Sequence, residues 1–115
     1  MEDLLISTLE SALGYDVRLQ GSLLPDESYP DHFFTYWNRT ADGAAFYDND
    51  ESAVLWVYDL NFYSIDADAV YTKLMEAKAL LKAAGFIVTG AGYSVMSDEP
   101  THTGRGISVL YSQRV

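Results

Sequence analysis

The chain has no cysteine. Disulfide staples, thiol chemistry and thiolate metal sites are excluded, and the fold must stand on its own core. Basic residues are few: seven Lys and Arg face seventeen Asp and Glu, a formal net charge of −10 with the histidines neutral. A nucleic-acid reader needs a basic patch to neutralise phosphates, and a protein bound to anionic lipid needs the same, so the charge argues against both roles. No apolar run approaches the roughly 20 residues that span a bilayer. The opening "MEDLLISTLE" has acids where a secretory leader carries positive charge. Together these absences lead us to expect a soluble protein made and kept in a reducing cytoplasm.

What is present is apolar and aromatic. Of 115 residues, 49% are hydrophobic and 14% aromatic, enough for one domain, 1–115, with a sizeable core. The acids are uneven. Eleven fall between Asp16 and Asp68, against only Arg18 and Arg39. Such a stretch serves solubility, or makes a surface that repels a polyanion or meets a basic partner.

Periodicity supplies the elements. In "EDLLISTLESALGY", Leu5, Leu9, Ala12 and Leu13 recur at helical spacing and Gly14 is a stop, so a helix is expected over about 2–13. "DVRLQG" reads as a short strand, and "HFFTYWNRT" as a second. "ADGAAFYDNDE" reads as a turn or extended loop. "SAVLWVYDLNFYS" is the strongest strand signal. Val54, Trp56, Tyr58, Leu60 and Phe62 form one apolar face, and the first half is apolar on both faces, as in a central strand. In "DADAVYTKLMEAKALLKAAG", Asp66 is a candidate N-cap, Val70, Leu74, Ala77, Leu81 and Ala84 form one stripe, and Gly85 sits where a helix ends. "FIVTGAGYSVMS" and "RGISVLYSQ" read as two strands, the first bent at Gly90–Gly92. The order α-β-β-β-α-β-β predicts an α+β domain: a mostly antiparallel sheet of four to five strands with two helices on one face.

The stretch "SDEPTHTGRG", Ser97 to Gly106, joins the last two strands and concentrates Asp98, Glu99, His102 and Arg105. Asp98, Glu99 and His102 are potential metal ligands, but His32 lies far away in sequence and no spacing demands a shared site. Ser97 or Thr101 beside His102 is no triad, since adjacent residues rarely point at each other, and there is no nucleophile elbow. "TGRG" lacks the phosphate-loop spacing and the helix that must follow it. No catalytic residue, metal or cofactor is assigned. The remaining reading is a long polar turn, with Pro100, Gly104 and Gly106 as its bends, touching a neighbour. In it Asp98, Glu99, His102 and Arg105 are interface candidates, with Arg105 facing an acid of an adjacent subunit.

Alternation also puts aromatics on both faces of "HFFTYW", more than two short helices can cover. Tyr and Trp are enriched where proteins meet, so Tyr36 and Trp37 join the interface candidates, with an oligomer contact on the second face.

The residues "YPDHFFTYWN", "FYDND", "WVYDLNFYS" and "SDEPTHTGRG", in that order, resemble a family of minor structural proteins of tailed phages and prophages of Gram-positive bacteria, similar in element order to tail-terminator and tail-completion proteins. The likeness runs from about Pro30 to Tyr111. It implies an α+β fold without catalytic residues and assembly as a ring, commonly a hexamer. It also implies partners among phage tail or connector proteins, and a place in the virion after assembly in the host cytoplasm. The station implied is tail terminator, tail completion or head–tail joining. On that reading part of the acidic Asp16–Asp68 region lines a channel that lets DNA pass without sequence-specific binding. Two other classes stay open at this point. One is a small enzyme or ligand-binding module using His102, Asp98 and Arg105 in a cleft. The other is an acidic inhibitor that mimics DNA.

Overall fold

A strand that is apolar along one row and bonded on both edges organises the molecule. The computed structural model describes residues 2–19, 30–47, 50–96 and 101–114. The elements are α1 (Glu2–Leu13), β1 (Asp16–Leu19), β2 (His32–Tyr47), β3 (Asp50–Ser64), α2 (Ala67–Ala83), β4 (Ile87–Val88), β5 (Tyr93–Val95) and β6 (Thr103–Arg114). They form an α+β fold with one six-stranded sheet in the order β1-β2-β3-β6-β4, β5 also pairing with β6. β1 runs parallel to β2 and every other pair is antiparallel. β3 is central: Leu60 lies opposite Tyr36 of β2 on one side and Ile107 of β6 on the other.

The even-numbered row of β3 faces both helices. Tyr58, Leu60 and Phe62 are fully buried, with Phe34 from β2, Ile107 and Val109 from β6, Leu5 and Leu9 from α1, and Leu74, Ala77 and Leu81 from α2. Burying one such side chain contributes about 1.5–3 kcal/mol. That is what holds α1, too short at 12 residues to be stable alone in water. The helix ends follow their sequence signals. Asp66 caps α2 by accepting from the Asp68 N–H at 3.0 Å. At the other end Gly85 takes φ +102, Phe86 N–H donates to Leu81 O at 2.9 Å, and Phe86 itself enters the core beside Leu81. Gly14, at φ +75, closes α1 by donating to Glu10 O.

Three expectations change. "ADGAAFYDNDE", expected as a turn or loop, is mostly strand. β2 and β3 stay paired out to Tyr47 opposite Asp50, with register shifts between Asn38 and Thr40, Gly43 and Ala45, and Ala45 and Phe46. The ladder satisfies the backbone whatever the polarity of the side chains, and bulges absorb the residues that do not fit. The strand expected from "FIVTGAGYSVMS" is two, which makes the sheet six-stranded. Gly90 and Gly92 both sit at φ +79 and set β4 apart from β5, while β6 runs straight past both. Lastly, Thr103–Gly106 belong to β6, so Gly104 and Gly106 are not bends. They form a bare strip. A Cβ on Gly104 would lie 2.6 Å from Tyr63 Cε1 and 2.7 Å from Val95 Cγ2, and one on Gly106 would run into Asn61 Oδ1.

The two positive-φ glycines of the β4–β5 link separate strain from crowding. A Cβ on Gly90 meets nothing within 4 Å, whereas one on Gly92 would collide with the Gly106 carbonyl oxygen. Gly90→Ala should cost about 1 kcal/mol from the left-handed backbone alone, and Gly92→Ala about 2 kcal/mol or more. Urea unfolding of the two variants side by side measures the difference.

Candidate functional site

Both histidines stand at the same end of the sheet, and the structure gives each a structural task. His32 opens β2 directly opposite Ser64, the last residue of β3. Its Nδ1 lies 2.7 Å from Ser64 Oγ, and its ring packs 5.3 Å from that of Tyr15. Ser64 Oγ also accepts the Asp66 N–H at 3.0 Å. The hydroxyl thus ties the His32 ring and the Asp66 N–H together. This is the spacing of a nucleophile and its base. Yet Ser64 is fully buried, tied to the entry of α2, and a hydroxyl sealed in this way cannot meet a substrate carbonyl. The pair fastens β2, β3 and the start of α2 together.

His102 precedes β6 and reaches back to Pro30, two residues ahead of β2. Its Nε2 lies 2.8 Å from Pro30 O, and its Nδ1 lies 3.0 Å from Thr101 Oγ1. A carbonyl only accepts, so Nε2 donates. The ring stands edge-on to Phe33 at 5.8 Å, and Phe33 stacks on Tyr63 at 5.2 Å. This cluster lies on the sheet face away from the helices. It covers Phe33, which is 2% exposed there, with His102 and Tyr63.

Arg105 lies on the opposite, helix-bearing face. Its guanidinium stands 5.4 Å from the Tyr71 ring centroid on α2, its Nε donates to Ala91 O at 2.8 Å and its Nη2 to Gly92 O at 3.4 Å. Lys78 Nζ donates to Gly90 O at 2.7 Å. Two cations thus hold the three successive carbonyls of the β4–β5 link, a segment with no side chains large enough to hold itself. Arg105, expected to face an acid of a neighbour, is engaged within its own chain. His102 and Arg105, drawn together as one cleft in the enzyme reading, are on opposite sides of the sheet. Asp98 and Glu99 lie outside the described residues.

Tyr36 faces the helices and packs against the core, its ring 6.5 Å from that of Tyr58. Trp37, one residue on, faces the other way and is 49% exposed. Sequence reasoning missed Trp37's company. Val57, Leu110 and Ile87 are register partners across β3, β6 and β4 on that same face. The signal was the alternation of "FIVTG" read against "RGISVLYSQ", but which strands adjoin cannot be read from alternation alone.

Among the described residues, no group of three or more His, Asp or Glu is placed to hold a metal ion. No described helix is long and apolar enough to cross a membrane. Compared with known proteins, the chain matches no family model and no curated protein.

The Ser64 hydroxyl makes two hydrogen bonds from a fully buried position. Ser64→Ala should destabilise the fold by about 1–3 kcal/mol, because it strands the Asp66 N–H and His32 Nδ1. Thermal unfolding followed by circular dichroism measures it.

Proposed function

We propose that this chain is a non-enzymatic structural subunit of a tailed phage or prophage particle. It acts as a tail-terminator, tail-completion or head–tail joining protein through ring-forming contacts with copies of itself. Neighbouring tail or connector proteins are its further partners. The motif order from Pro30 to Tyr111 supports the family reading, and the two histidines, both occupied in tying strands together, suit a protein that performs no reaction.

The observation that carries the ring is the sheet's pair of strand edges. β1 pairs with β2 only as far as Tyr36, and β4 pairs with β6 only at Val109 and Leu110. Beyond those points, among the described residues, β2 and β6 have no further strand beside them, at the same level on either side of β3. A strand edge is a template for another strand. Two different edges on opposite sides of one subunit make a head-to-tail contact, which closes into a ring when the rotation allows. The charge suits a DNA conduit. Asp31, Asp66 and Asp68 are exposed at one end of the sheet, where Ile65 N–H donates to Asp31 O. An acidic lumen repels phosphate and lets duplex slide.

Successive backbone N–H groups on a strand point to opposite edges. Of Ser112→Pro and Gln113→Pro, opposite Leu55 and Val54 of β3, one removes a ladder bond to β3 and the other only an outward donor. The outward variant should keep the wild-type melting temperature and lose higher oligomers in light scattering across a concentration series. A chain that stays monomeric throughout, alone and with tail tubes, overturns the ring.

A further inference from the structure

We draw no further inference here: the strongest candidate, the sheet face turned away from the helices with Trp37, Ile87 and Tyr93 half exposed on it, carries nothing, because nothing in the structure shows what covers it.

Discussion

Tyr58, Leu60 and Phe62 are buried under two helices while their backbone is bonded to a neighbour strand on each side. The rest of the molecule depends on that double constraint. It fixes the register of β2 and β6, because a slip of one residue would turn every buried ring out of the core. It gives α1 a surface to fold against. It also makes the two faces of the sheet unequal. Both helices are committed to one face, so whatever apolar surface lies on the other must be closed by side chains of the sheet itself or by another molecule.

The second face uses the first solution at one end. The bare strip at Gly104 and Gly106 lets Tyr63, Val95 and Tyr93 lie close to the sheet, and His102 closes the end over Phe33. Past that cluster come Trp37 and Ile87, half exposed. Five cations are engaged within the subunit. Arg18, Arg39 and Lys73 pair with carboxylates, and Lys78 and Arg105 bind backbone carbonyls. Lys82, in the last turn of α2, stays exposed.

Polar residues crowded in a sequence invite a chemical reading, but the fold decides which of them share a site. His32 and Ser64 are at nucleophile–base distance, but the hydroxyl is sealed beneath the start of a helix. Thirty-two positions separate them, and only the pairing of β2 with β3 brings them together. His102 and Arg105 are three apart and end on opposite faces of the sheet, one on Phe33 and the other on Tyr71.

Local pattern was enough for both helices, with their caps at Asp66, Gly85 and Gly14, and for the apolar row of β3. These depend on spacing along one segment and on the conformations that single residues favour. The α+β class and the placing of both helices on one face followed from the same patterns. Tertiary structure alone decided the rest. It carried the β2–β3 ladder through "ADGAAFYDNDE", because a partner strand satisfies the backbone regardless of turn-forming side chains. It split β4 from β5, because Gly90–Gly92 could loop out where Lys78 and Arg105 hold the carbonyls. And it set Val57, Leu110 and Ile87 in one row on the face that carries Trp37, because neighbours across a sheet are chosen by how strands are ordered, which no single stretch of chain encodes.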